Sequence, residues 1–403
     1  MKAGWQTKTL DEACEFSNGL WKGDKEPFVN VGVIRNTNFT KEGALDDSDI
    51  AYLDVEVKKF EKRRLQFGDI ILEKSGGGPK QPVGRVALFD KNDGLFSFSN
   101  FTSAIRVKNP TELDFRFLHK HLFWTYLSGV TEGMQSHSTG IRNLDGNAYK
   151  SIQIAIPPLP EQHRIVAILD EAFDGIATAK ANAEKNLQNA RALFESHLQS
   201  VFTERGEGWE NKTLEEVATV FGRGKSRHRP RNAPHLYGGE YPFVQTGDIR
   251  NADHVITEYT QTYSKAGLAQ SKLWPKGTIC ITIAANIAET AILGFDACFP
   301  DSVIGVVANP KEADVDFIEY LLQSFKARIQ SMGKGSAQAN INMGTFENEK
   351  FPFPPVAEQK SIVAKLDSLN EETQRLESLF QQKLTALDDL KKSLLHQAFS
   401  GAL

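Results

Sequence analysis

Two short segments of the chain gather the residue types that grip an anionic polymer. The first runs Glu73-Lys74-Ser75-Gly76-Gly77-Gly78-Pro79-Lys80-Gln81-Pro82-Val83-Gly84-Arg85, directly after an apolar run. Its glycines expose backbone N–H groups, its prolines stiffen the loop, and Lys74, Lys80 and Arg85 flank it. Ser75, Gly76, Gly77, Gly78 and Gln81 add donors and acceptors suited to phosphates and base edges. The second runs Phe221-Gly222-Arg223-Gly224-Lys225-Ser226-Arg227-His228-Arg229-Pro230-Arg231-Asn232, with five cations in nine positions and no acid between Glu216 and Glu240. A solvated charge run usually mixes both signs, so this one points to nucleic acid. Arg223, Lys225, Ser226, Arg227, His228, Arg229 and Arg231 are its candidate contacts.

Smaller polar groups join them. Ser138, Thr139 and Arg142 in the first half, and Gln338 and Asn340 in the second, occupy equivalent places, and Gln245 and Thr246 lie in a repeated run. Gln and Asn can pair bidentately with adenine, and Arg with guanine. Turns that cap a helix have the same composition, so base reading and ordinary capping both stand for these residues.

Signals for catalysis are weak. Gly224-Lys225-Ser226 resembles the end of a phosphate-binding P-loop, but the first glycine of that motif would fall at Thr219, and Pro230 would break the following helix. An amino-methyltransferase needs Asn or Asp before a Pro-Pro-aromatic run; here Ile156 and Phe353 precede the proline pairs. Asp54-Val55-Glu56-Val57-Lys58 has the Glu-x-Lys spacing of metal-dependent nucleases, which alternating charge on a strand also produces. Cys14, Cys280 and Cys298 are far apart and form no zinc or disulfide pattern.

The elements that carry these segments occur twice. Gly4-Trp5-Gln6-Thr7-Lys8-Thr9-Leu10-Asp11-Glu12 returns as Gly208-Trp209-Glu210-Asn211-Lys212-Thr213-Leu214-Glu215-Glu216, 204 positions on. The run Pro27 to Asn36 is matched to Pro242 to Asn251 at an offset of 215, which puts 11 extra residues in the second half, around the basic segment. Pro157-Pro158-Leu159-Pro160-Glu161-Gln162 returns as Pro354-Pro355-Val356-Ala357-Glu358-Gln359 after 197. A two-copy repeat this long means two whole domains.

Within each half, β-branched and aromatic runs between turn residues predict strands at Phe28 to Ile34, Asp69 to Leu72, Val83 to Phe89 and Ile105 to Val107. Their counterparts are Phe243 to Ile249, Ile279 to Ile283 and Val303 to Val307. Helices are predicted over Phe115 to Leu127 and Val315 to Gln330. Behind each proline pair an apolar seam recurs at alternating steps of three and four: Leu169, Ile176 and Leu193 in the first copy, and Leu366, Leu369, Leu376, Phe380, Leu387 and Leu390 in the second, interrupted at Thr373 and Lys383. That spacing predicts two long helices, each of ~33 residues and about 50 Å, pairing as a coiled coil. The fold class is α+β, with a pseudo-two-fold repeat.

Of the 403 residues, 40% are apolar and 24% charged, and the net charge is −4, so any nucleic-acid surface must be local. The N-terminus has no apolar signal-peptide core and the chain no membrane-length apolar run, which together predict a cytoplasmic location.

The doubled Pro-Pro turns and the helix ends Leu198-Gln199-Ser200-Val201-Phe202-Thr203 and Leu395-His396-Gln397-Ala398-Phe399-Ser400 resemble the specificity subunits of type I restriction–modification enzymes. The resemblance implies target-recognition domains at 1–157 and 205–354, with long helices at 158–204 and 355–403 pairing antiparallel as a spacer. It implies that each domain reads half of an asymmetric bipartite site in double-stranded DNA and that the helices dock two methyltransferase (modification) subunits. Two restriction subunits would join for ATP-dependent cleavage. This chain would then be non-catalytic, and S-adenosylmethionine, ATP and Mg2+ would belong to its partners. The alternatives are a two-domain scaffold binding proteins through its helices and, more remotely, a nuclease using Glu56 and Lys58.

Overall fold

The computed structural model describes residues 4–20, 23–78, 81–138, 141–228, 230–284, 287–332 and 343–403. The chain divides into two compact units, residues 1–184 with 382–403, and residues 185–381. Among the described residues no helix is long and apolar enough to cross a membrane.

The repeated sequence motifs are repeated sets of hydrogen bonds. In the first unit the Thr9 N–H donates to Glu12 Oε2 (2.7 Å) and the Glu12 N–H to Thr9 Oγ1 (3.2 Å). This reciprocal cap starts a helical turn, Leu10–Ala13, whose Leu10 is fully buried. Thr213 and Glu216 exchange the same two bonds at 2.6 and 3.3 Å, beside fully buried Leu214.

The glutamine of each Pro-Pro motif is likewise structural. Gln162 Nε2 donates to the carbonyls of Pro157 and Glu112, both at 2.7 Å, while its Oε1 accepts from the Asp114 N–H at 2.8 Å. Gln359 does the same with Pro354 (2.8 Å), Glu312 (3.2 Å) and Asp314 (2.8 Å). Both side chains are fully buried, so an apolar replacement would strand several backbone groups. Asp114 then caps the helix Phe115–Leu127, and Asp314 the helix Val315–Met332.

In the first unit a four-stranded antiparallel sheet carries the core, in the order Cys14–Asn18, Thr102–Val107, Ile70–Glu73, Val86–Leu88. A three-stranded sheet lies beside it, with Phe28–Ile34 between antiparallel Ala51–Glu56 and parallel Phe96–Phe98. In the second unit the main sheet has five strands, Ala218–Arg223, Val303–Ala308, Ile279–Thr282, Thr290–Leu293 and the parallel Val255–Ile256.

Within the globular parts, three expectations change. The run Phe243 to Ile249 is not one strand: the strand Tyr237–Phe243 ends, and Thr246–Asn251 is helical because the Asp248 carboxylate takes the Gln245 N–H at 2.9 Å. The first unit does the same after its own strand Phe28–Ile34, where Asn38 Oδ1 takes the Arg35 N–H at 2.9 Å and opens the turn Asn36–Asn38. Gln245 thus matches Arg35, an offset of 210 rather than 215, which reduces the second half's insertion from 11 residues to about 6. The Glu56-x-Lys58 pattern is also broken, since the strand stops at Glu56 and Lys58 lies on the helix Val57–Glu61.

The long helices are Leu159–Thr203 and Val356–Ser400, 45 residues each and so ~67 Å rather than 50 Å long. Each unit's core holds the start of one and the end of the other. Ile165, Val166 and Leu169 pack with Leu395, Ala398 and Phe399 in the first unit, and Val363 and Leu366 share a core with Leu198 and Phe202 in the second. Phe399 meets Phe117, and Phe202 meets Phe317, edge-on at 5.4 Å in both cases. Lys180 pairs with Asp388 in the first unit and Arg191 with Glu377 (2.9 Å) in the second, so the helices run antiparallel where they are joined.

Ile176 is buried, and Leu369, Leu376, Phe380 and Leu387 are half-buried. Leu193 and Leu390, expected in the seam, are instead 58% and 47% exposed. Phe194 and Lys391 take the inward positions beside them, because a 3.6-residue turn drifts away from a strict 3.5-residue repeat. Thr373, read as an interruption, is buried, and beside exposed Lys383 the seam runs through Leu384.

Candidate nucleic-acid interface

In the first unit, tertiary structure joins two segments that are 60 residues apart in sequence. Ser75–Gly77 is the edge strand of a three-stranded sheet completed by Ile141–Leu144 and Gln135–Ser138. Arg142 lies opposite Gly77 and Asn143 opposite Ser75, whose Oγ donates to Asn143 Oδ1 at 2.6 Å. Gly78 and Gln81 exchange backbone bonds of 2.9 and 3.1 Å, closing the loop tip. The glycine loop, Arg142 and Ser138 therefore belong to one small sheet. A cavity of about 390 Å³ opens beside it, lined by Gly76, Gly77, Gly78, Gln81 and also Asn36 and Thr37. Asn36 and Thr37 were not legible as site residues, because the sequence matching misplaced their counterparts; at the corrected offset they correspond to Thr246 and Gly247.

The cations of this loop are not equivalent. Arg85 binds Glu73 through both nitrogens of its fork, at 2.8 and 3.0 Å, and also donates to the Asn36 carbonyl at 3.0 Å. With Glu73 buried, this pair braces the loop and its charge is internally neutralised. Lys74 reaches back to Asn18 Oδ1 at 3.0 Å, and burial lowers its pKa.

In the second unit the strand Ala218–Arg223 delivers the basic segment. Gly224 must be glycine because a Cβ there would sit 2.3 Å from the Phe299 carbonyl oxygen. The chain turns outward at that point, and Lys225 and Arg227 are exposed while Ser226 is buried. The Arg227 and His228 N–H groups donate to Gln270 Oε1 at 2.6 and 3.0 Å, and the His228 ring stands edge-on to His235 at 5.1 Å. Arg223 donates to the Asp301 carbonyl at 2.7 Å, and Arg231 pairs with the Asp301 carboxylate at 2.8 Å. Lys225 and Arg227 thus point their charge at solvent, while Arg223 and Arg231 also hold the segment to the sheet. Gln245 and Thr246 are half-buried at the start of their helix. Lys80, Thr139, Arg229, Gln338 and Asn340 lie outside the described residues.

A different type of cluster sits under the second unit's sheet. His254 lies 3.0 Å from Asp316 through Nε2 and 2.7 Å from fully buried Glu319 through Nδ1. Burial alone would lower the His254 pKa, but the two carboxylates hold it up to about 10. The ring also lies against that of Tyr320, tilted by 31° with centroids 4.6 Å apart, and the Tyr320 hydroxyl donates to Asp367 on the C-terminal helix at 2.8 Å. Every polar partner is internal, so this is a structural pin.

The type I restriction modification DNA specificity domain matches the chain twice, over residues 2–188 and 206–386. The chain is 22% identical to a putative type I restriction enzyme MjaX specificity subunit of Methanocaldococcus jannaschii, over 99% of this chain and 93% of that protein. It is 23% identical to the EcoKI specificity subunit of Escherichia coli, over 95% and 83%. Its fold is shared by a chain from a study of complex assembly in a type I R-M system, at a TM-score of 0.81, 20% identity and coverage of 100% and 99%. The HsdS subunit of Thermoanaerobacter tengcongensis follows at a TM-score of 0.65 and 20% identity, covering 100% and 98%. With two matched domains spanning nearly all its length, the chain belongs to the type I restriction–modification DNA specificity family.

Proposed function

We propose that the chain is the DNA-specificity subunit of a type I restriction–modification enzyme, with each globular domain reading one half of an asymmetric bipartite site. The observation that carries this reading is the contrast between what the units repeat and what they do not. Caps, buried glutamines and helix anchors recur bond for bond, whereas the loop at 74–84 and the basic segment at 223–231 have no sequence counterpart in the other half. A shared scaffold with different solvent-facing loops is what reading two different half-sites requires. The paired helices set the spacing between half-sites, since DNA presents the same face every ~34 Å. They also dock two methyltransferase subunits, and restriction subunits complete the enzyme. The chain itself catalyses nothing: S-adenosylmethionine, ATP and Mg2+ act on the partner subunits, in the cytoplasm.

A map of methylated bases in genomic DNA, from cells with and without the gene, tests this. A split motif methylated only in the presence of the gene is expected. Exchanging residues 1–157 for another subunit's first domain should change one half of that motif only. A change in both halves, or no gene-dependent methylation when the methyltransferase is supplied, would defeat the reading.

A further inference from the structure

The second unit has an evident cationic segment, and the first has none at the matching place in sequence. Structure supplies one from elsewhere in the chain. Gly19 is the first unit's counterpart of Gly224: a Cβ on Gly19 would sit 1.8 Å from the Ser99 carbonyl oxygen, as one on Gly224 would clash with that of Phe299. Both glycines follow the edge strand of the main sheet, after Asn18 and Arg223 respectively. In the second unit the basic segment beyond Gly224 rests on residues 270–272. Gln270 Oε1 takes two of its N–H groups, Ser271 Oγ donates to the Lys225 carbonyl at 2.8 Å, and Lys272 has its pKa lowered by burial and by the nearby charge of Lys225.

The matching support in the first unit follows the short helix Val57–Glu61, as residues 270–272 follow Lys265–Ala269. Here the support is itself the cationic element. Lys58-Lys59-Phe60-Glu61-Lys62-Arg63-Arg64 holds five cations and one acid. Phe60 is buried and anchors the stretch, while Lys58, Lys62 and Arg64 are exposed and have no ion-pair partner among the described residues. Arg63 Nε donates to the Asn18 carbonyl at 3.1 Å, and Lys74, at the root of the glycine loop, donates to the same residue's side chain. Residues 62–64 also line a cavity of about 540 Å³, where the Asp69 carboxylate is neutralised by Arg106 at 2.6 Å.

We propose that Lys58, Lys62 and Arg64 form the DNA-phosphate contact of the first domain, in the place that Lys225 and Arg227 fill in the second. The two domains reach the same local charge through different chain segments, which is expected where an electrostatic requirement is shared and the residues meeting it are not. The ligand is the duplex backbone: contacts from exposed lysine and arginine side chains to phosphate position a protein on DNA without themselves reading bases. The proposal rests on the DNA-specificity reading above.

The test uses the full chain assembled with its modification subunits, in wild-type form and with Lys58→Gln, Lys62→Gln and Arg64→Gln combined. A second variant, Lys58→Arg, Lys62→Arg and Arg64→Lys, retains the charge. Binding to target and mixed-sequence duplexes is measured against salt. Loss of three phosphate contacts should flatten the slope of log K against log salt by about 2 to 3. Between ~50 and ~200 mM salt that removes about 40-fold of the wild-type drop in affinity. The charge-retaining variant should keep the wild-type slope, and the methylated motif should not change in either. An unchanged slope in the neutral variant, beside a salt-dependent wild type, overturns the proposal and leaves the specificity reading intact. A changed motif overturns it too, since these residues would then touch bases. A wild-type complex with no salt-dependent DNA binding defeats both.

Discussion

The loop from Ile70–Glu73 to Val86–Leu88 in the first unit, and from Ile279–Thr282 to Thr290–Leu293 in the second, shows how one scaffold carries two surfaces. In the first unit the Glu73 N–H donates to the Arg85 carbonyl at 2.8 Å and the Gly84 N–H to the Glu73 carbonyl at 3.0 Å, closing an excursion over residues 74–84. In the second unit Thr282 and Glu289 make the first of these bonds at 2.9 Å, Ala288 and Thr282 the second at 2.8 Å, and only residues 283–288 lie between. The stem is the same and the excursion differs. The second unit has its additional length in the basic segment instead. Backbone bonds at the stem are satisfied whatever the loop contains, so loop length and charge can change without disturbing the sheet.

The cores also differ in what surrounds a histidine at the helix beneath each sheet. His121, on Phe115–Leu127, is buried with no charged partner among the described residues, and burial pushes its pKa down to about 4. His254 in the second unit meets the carboxylates of Val315–Met332 and is held at about 10. The signs of their pH dependence are opposite. The depressed His121 contributes stability above the ordinary histidine pKa of about 6.5, and that contribution is lost as pH falls toward 4. The raised His254 contributes fully below about 6.5, and its contribution is lost as pH rises through 10.

The largest test of this contrast is His254→Gln, which leaves Glu319 buried without its countercharge. It should destabilise the second unit by about 3–5 kcal/mol and remove the part of that unit's alkaline loss of stability that His254 carries. Hydrogen exchange resolved by segment should show the opening within residues 185–381 and leave the first unit's protection unchanged; equal loss in both would break the comparison. The glutamines test what the units have in common. Gln162→Ala and Gln359→Ala each strand buried backbone groups and should cost about 2–3 kcal/mol in denaturant unfolding, in their own unit alone. Very unequal costs would mean the two motifs are not equivalent. The smallest effect belongs to Arg191→Ala at the exposed Arg191–Glu377 pair, worth at most about 1 kcal/mol and shrinking with added salt. A larger loss in a thermal melt would show that this pair is a principal tie between the helices.

Much of the scaffold was legible because its signals are local or strictly repeated. The Gly-Trp and Pro-Pro-x-x-Glu-Gln runs each recur once, and the second marks the start of each long helix. The helices expected over Phe115 to Leu127 and Val315 to Gln330 are found as Phe115–Leu127 and Val315–Met332. Less of the candidate interface was readable. Charge density picked out Lys225 and Arg227, but the same criterion passed over Lys58 to Arg64, which holds an acid and follows a run whose charges alternate in sign.

The sequence by itself determined the duplication, the caps and the two long helices, since each depends on residues a few positions apart or on the recurrence of a whole pattern. Tertiary structure decided which cations are free and which are consumed internally. Arg85 and Arg63 differ from Arg227 only in what lies beside them, Glu73 and the Asn18 carbonyl against open solvent. It also turned Thr246–Asn251 from strand to helix through one carboxylate, moved Leu193 and Leu390 out of the seam, and set Ser75–Gly77 beside Ile141–Leu144. Each of these outcomes turns on a partner's position, or on the helix's true turn, that residue type and spacing do not specify.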